Sequence, residues 1–68
     1  MEITLNNRIE VLEDTAQMTV QQLIEKKNFT FKFLVTKING KLVKRDERDN
    51  AIVRDGDDVA IIHLISGG

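Results

Sequence analysis

The stretch VAIIHLI, residues 59–65, is apolar at every position but His63. It is far short of the roughly 20 apolar residues that cross a bilayer. It is also too evenly apolar for a surface helix, which keeps one polar side. Such a run reads as a central strand covered on both faces, often in parallel pairing. The rest of a 68-residue chain must supply its neighbours and its cover. A chain of that size buries only about 60% of the surface its unfolded form exposes. It has room for one modest core and no deep cleft. There is no cysteine, and His63 is the single histidine, so neither a disulfide nor a histidine-based metal site can staple the fold.

The remaining segments supply the neighbours. MEITLNNRIEVLE alternates apolar and polar residues twice, at Ile3 and Leu5 and again at Ile9 and Val11. Period two marks half-buried strands. Asn6-Asn7 between them suits the positive φ of a tight hairpin turn. Val20, Leu23 and Ile24 follow with helical spacing, and Thr19 with Gln22 forms a T-x-x-Q capping box. A helix is predicted over 20–27, with Asn28 as its stop. FTFKFLVTKING is rich in aromatic and β-branched residues, hence a strand. Phe31, Phe33 and Val35 make one of its faces and Leu34 and Ile38 the other, which suits an interior place in the sheet. Asn39-Gly40 reads as a two-residue turn returning into the short strand KLV. KRDERDN is a charged connector, irregular or a single helical turn, with Ala51, Ile52 and Val53 tucked beneath it. RDGDD is a turn built on Gly56. The order ββαβ(β)β predicts a small α+β fold, with one helix across one sheet face and the last strand in the middle beside the first.

Function classes fall away by inventory. Ser66 and His63 are three apart on a strand and point to opposite faces, and no third group is indicated to orient a triad. The acidic Asp55-Gly56-Asp57-Asp58 lacks the alternating Asp/Asn of a calcium loop, so it reads as a turn. Gly40 and Gly56 are isolated, so no phosphate-cradling loop is present. The charges are mixed, net −1, with no Tyr or Trp and no basic stripe, which argues against nucleic acid. No membrane span is expected. Met1 is followed by EITL and not by a basic stretch and an apolar run, so no signal peptide is read. The lack of cysteine fits the cytosol, and a cytoplasmic protein is expected. The acceptor pattern at Asn28 is then coincidental.

What remains is the ending Ser66-Gly67-Gly68. Glycine loses more conformational freedom on ordering than any other residue, so two of them make a poor end to a fold. Chance places such a pair there in about one chain in two hundred. A terminal α-carboxyl is ionised at neutral pH and is a poor electrophile until activated, for example as an acyl-adenylate. Gly68 places no side chain beside that carbonyl. Two residues reach roughly 7 Å beyond Ser66, enough to enter a partner's site. On the last strand Val59 and Ile61 are expected under the helix. Ile62 and Leu64 are then exposed on the open face, unless KRDERDN folds over them. Together with Ile65 and Ser66 they are the expected partner-binding residues.

The segments TVQQLI at 19–24, NGKLVKR at 39–45, DGDDVAII at 55–62 and the closing SGG, taken in order, resemble the ThiS family of thiamine-biosynthesis sulfur carriers, in the ubiquitin-like β-grasp superfamily. The resemblance covers nearly the whole chain and implies one β-grasp domain over 1–68 with a flexible tail over 66–68. It implies no enzyme but a protein co-substrate that binds no cofactor of its own. An E1-like adenylating enzyme of the ThiF type would use ATP to adenylate Gly68, adjoining Gly67. A cysteine desulfurase would supply sulfur, and the thiocarboxylate would serve a thiazole synthase of the ThiG type. The family pattern has Val-Pro-Arg where Val43-Lys44-Arg45 stands, and commonly Trp at Arg48. A carrier for molybdopterin or for cysteine or methionine synthesis, and a ubiquitin-like modifier joined to lysines, share the same ending.

Overall fold

The computed structural model describes residues 1–29 and 33–64. Strands β1 (Glu2–Leu5) and β2 (Arg8–Val11) form the expected hairpin. Asn6 and Asn7, at φ 51° and 68°, make its two-residue turn, whose twist matches that of the strands. A short strand, β3 (Gln17–Thr19), leads directly into helix α1 (Val20–Lys26). The Thr19 side chain accepts from the Gln22 amide at 3.0 Å, and the Gln22 side chain accepts from the Thr19 amide at 2.9 Å. The capping box is thus complete at both ends. Lys27 caps the helix, and Asn28 at φ 61° turns the chain away.

Then come β4 (Leu34–Ile38), an Asn39-Gly40 turn at φ 51° and 82°, and β5 (Lys41–Val43). A 3₁₀ turn, Arg45–Glu47, opens the charged connector. Strand β6 (Ile52–Arg54) and a turn at Gly56, φ 86°, precede β7 (Asp58–His63). The main sheet runs β2-β1-β7-β4-β5. β7 lies at its centre, parallel to β1 and antiparallel to β4. This mixed five-stranded sheet with a single helix across one face is the β-grasp architecture.

A seven-residue helix cannot stand alone in water. α1 is held by its stripe of Val20, Leu23 and Ile24, all buried against the sheet. Ile3, Leu5, Val59 and Ile61 meet it from the sheet, and Leu12, Met18, Val43 and Val53 close the sides. Each such side chain contributes roughly 1.5–3 kcal/mol when fully buried. Burial of Val59 and Ile61 under the helix agrees with the facing read from the sequence. Leu34 and Ile38 pack on the same core, and Thr36 between them is wholly buried.

Four features differ from the sequence reading. Ile9 and Val11 are not half-buried; they are 71% and 57% exposed. The two-residue turn sets Leu5 opposite Arg8 and Ile3 opposite Glu10, so the buried face of β1 continues into Arg8 and Glu10. Ile9 and Val11 therefore point to the open side. Second, β3 and β6 pair as a separate two-stranded sheet, Met18 opposite Val53. That pairing makes a strand of a segment read only as tucked beneath the connector. Third, the strand read from Phe29 onward begins at Leu34, with residues 30–32 outside the described part. Fourth, β7 starts one residue earlier, at Asp58, and ends at His63.

Candidate partner-docking face

Alternation along β7 sets the chemistry of the side away from the helix. Val59 and Ile61 point into the core, so Ala60, Ile62 and Leu64 point out. Ile62 is 49% exposed and Leu64 51%. Ile62 pairs with the half-buried Val35 of β4, and Ala60 pairs with the exposed Lys37. Lys37 in turn pairs with the exposed Leu42 of β5. Beyond the end of β4, the Leu64 amide donates to the Phe33 carbonyl at 3.0 Å, which brings a half-exposed phenyl ring into the same neighbourhood. A shallow groove of about 440 Å³ lies over the small Ala60 side chain, bounded by Asn6, Asn7, Lys37, Ile62 and His63.

The result is an apolar strip at the end of β7, from which residues 65–68 continue. Exposed apolar side chains gathered in this way, with polar groups around them, are what protein interfaces are made of. KRDERDN does not cover Ile62 or Leu64, which remain about half exposed. Its 3₁₀ turn begins just after β5, at the opposite flank of the sheet from β2.

Of the residues singled out from the sequence, Ile62 and Leu64 share this face. Ile65, Ser66, Gly67 and Gly68 lie outside the described residues. His63 is exposed at the end of β7, opposite Leu34. Among the described residues no cluster of three His, Asp or Glu side chains could hold a metal ion. Phe33 and Val35 were legible as one face of a strand but had no partner assigned. The outward alternation of β7 is the signal that groups them with Ile62.

The connector differs at two positions from the pattern of the family it resembles, and the structure gives a partner at each. Lys44 has φ −70°, the value proline would impose, and its amide donates to the Glu47 carboxylate at 3.0 Å. Arg48 lies along the free edge of β4 beyond the end of β5. Its Nη2 donates to the Leu34 carbonyl at 2.6 Å and its Nε to the Thr36 hydroxyl at 3.3 Å. A guanidinium thus satisfies backbone and side-chain oxygens at a site where an indole would supply apolar area.

The model of the ThiS family matches residues 2–68. The chain belongs to the ThiS family. ThiS-family proteins are small sulfur carriers, not catalysts. Among solved structures, the crystal structure of thiamine biosynthesis protein ThiS from Geobacter metallireducens superimposes with a TM-score of 0.90 at 23% identity, over 100% of both chains. An NMR solution structure of a thiamine biosynthesis protein from the same organism gives 0.82 at 23% identity, over 100% of this chain and 88% of that one. These likenesses show the shared fold. A comparison with curated proteins finds no match. No helix among the described residues is long and apolar enough to cross a membrane.

Proposed function

We propose that this ThiS-family chain carries sulfur as a thiocarboxylate on Gly68 and delivers it for thiazole formation in thiamine biosynthesis. The Gly68 carboxylate attacks the α-phosphorus of ATP on an E1-like, ThiF-type enzyme, and pyrophosphate leaves. A persulfide sulfur from a cysteine desulfurase then attacks the acyl carbon and expels AMP. A thiol reductant cleaves the acyl disulfide, leaving the thiocarboxylate for a ThiG-type thiazole synthase. ATP belongs to the partner; the carrier's contribution is its acyl group and a surface by which it is held.

The observation that carries this reading is the exposed pair Ile62 and Leu64 at the end of β7, immediately before residues 65–68. A partner gripping that strip holds the chain within a few residues of the carboxylate, which confines the reacting group near its target. Membership of the ThiS family supports the same role.

Intact-mass measurement tests it. Incubation with ATP, a ThiF-type enzyme and a persulfide-loaded desulfurase should add the mass difference of one oxygen exchanged for one sulfur. Deletion of Gly68 should abolish the gain and leave the fold intact. Adducts on lysines of other proteins would instead identify a ubiquitin-like modifier and overturn the carrier reading. A thiocarboxylate that forms but fails to support a thiazole synthase would move the sulfur to another pathway.

A further inference from the structure

β1 ends at Leu5, opposite Val59, yet β7 runs on to His63. Backbone groups alternate in direction along an antiparallel strand. The Leu64 amide donates to Phe33 and the Asn39 amide to Asp58, so residues 58, 60, 62 and 64 turn toward β4. Val59 and Ile61 turn toward β1. Val59 is served there, since its carbonyl accepts from the Asn6 amide at 2.9 Å. Ile61 would face nothing, because the chain turns away at Asn6-Asn7.

The Asn6 side chain fills that place. Its Oδ1 accepts from the Ile61 amide at 2.8 Å, and its Nδ2 donates to the Ile61 carbonyl at 3.0 Å. A carboxamide carries an acceptor and a donor on one planar group, so it reproduces the pairing that a further residue of β1 would make. Asparagine also tolerates the left-handed backbone, φ 51°, that the turn imposes at this position. At the other end of β7, Asn39 acts from the opposite flank. Its Oδ1 accepts from the Asp58 amide at 2.9 Å. The central strand is therefore pinned where it begins and again where β1 has run out.

We propose that Asn6 is a positioning residue: by pairing with Ile61 it fixes the course on which β7 ends, and so the placing of Ile62 and Leu64, the side chains offered to the adenylating enzyme. The identity of the partner rests on the carrier reading above; the effect on the strand rests only on the two hydrogen bonds. Without them Ile61 loses the partner that stands in for a further residue of β1. Fewer encounters then find Ile62 and Leu64 correctly placed. The Michaelis constant of the adenylating enzyme for the carrier rises. Its turnover number changes little, because the chemistry belongs to the partner once the terminus is seated.

Asn6→Gly is the clean variant, since glycine takes the positive φ without strain and removes only the carboxamide. Amide hydrogen exchange followed by NMR should show Ile61 exchanging roughly tenfold faster or more, as expected for two net hydrogen bonds. Ala60 and Ile62, which face β4, serve as internal references and should change little. Pyrophosphate release with the ThiF-type enzyme should show KM raised several-fold at nearly constant kcat. Asn6→Asp retains the acceptor for the Ile61 amide and should restore part of its protection. Uniform acceleration at residues 60, 61 and 62 would overturn the proposal, because Asn6 would then contribute only general stability. Selective acceleration with unchanged KM would overturn it as well. Should wild-type protein fail to be adenylated at all, the carrier reading falls, and the exchange measurement still decides whether Asn6 sets the strand.

Discussion

The Thr36 hydroxyl donates to the Val43 carbonyl at 2.6 Å from a side chain with no exposure to solvent. The same oxygen accepts from Arg48 Nε at 3.3 Å. One buried hydroxyl therefore ties β4 to β5 and to the connector. Thr36→Val keeps the volume and removes both bonds. The expected loss is about 1–3 kcal/mol, read from urea denaturation. Arg48→Ala combined with it should cost less than the sum of the two single changes, since they share one interaction. Strict additivity would show that the contact carries no energy.

The capping box at Thr19 and Gln22 starts the one helix that covers the core. Thr19→Ala should cost about 1 kcal/mol, while Thr19→Ser should cost much less because the accepting oxygen remains. Denaturation midpoints of the two variants provide the comparison. Equal midpoints would mean that packing of Val20 and Leu23 alone fixes the helix start.

Lys44 offers a test of opposing terms. Its φ of −70° and ψ of 158° suit proline. Lys44→Pro should gain about 0.4–1 kcal/mol by restricting the unfolded chain. It also loses the exposed hydrogen bond from the Lys44 amide to Glu47, worth about 0.5–1.5 kcal/mol. Because a bonded amide is lost, the loss outweighs the gain, and stability should fall slightly, by no more than about 1 kcal/mol by the same figures. A much larger loss in thermal or urea unfolding would show that the connector depends on that bond.

Ile62→Asp places a carboxylate on the open face, where the side chain is already half in water. The circular dichroism spectrum and unfolding midpoint should change little. Affinity for the ThiF-type enzyme, measured by calorimetry or by the KM of pyrophosphate release, should fall at least tenfold, the loss typical when an interface anchor worth about 1.4 kcal/mol or more is removed. Undiminished affinity would place docking elsewhere.

Much of this was legible before any coordinates. The run at 59–65 announced a central strand, and Thr19 with Gln22 announced a helix start; both are local patterns with a local cause. The facing of Ile9 and Val11 is legible too, because a two-residue turn forces Leu5 opposite Arg8. The β3–β6 pairing was not. Gln17–Thr19 and Ile52–Arg54 are three residues each, and they meet only because α1 and β7 bring them together. Nor could sequence show that the Asn6 side chain reaches Ile61, 55 positions away. Of the site, the outward pair Ile62 and Leu64 follows from alternation alone, whereas the addition of Phe33 and Val35 needs the register of β4 on β7.

The parallel pairing of β1 with β7 joins opposite extremes of the described chain. During synthesis β1 emerges before β7 and must wait for every element between them before that second neighbour exists. Contacts of such long sequence separation slow folding, and no shorter nascent piece contains a closed core. On the proposed reading, an adenylating enzyme that recognises the face around Ile62 meets no half-made substrate: the surface it would grip is completed by the same strand that completes the described sheet.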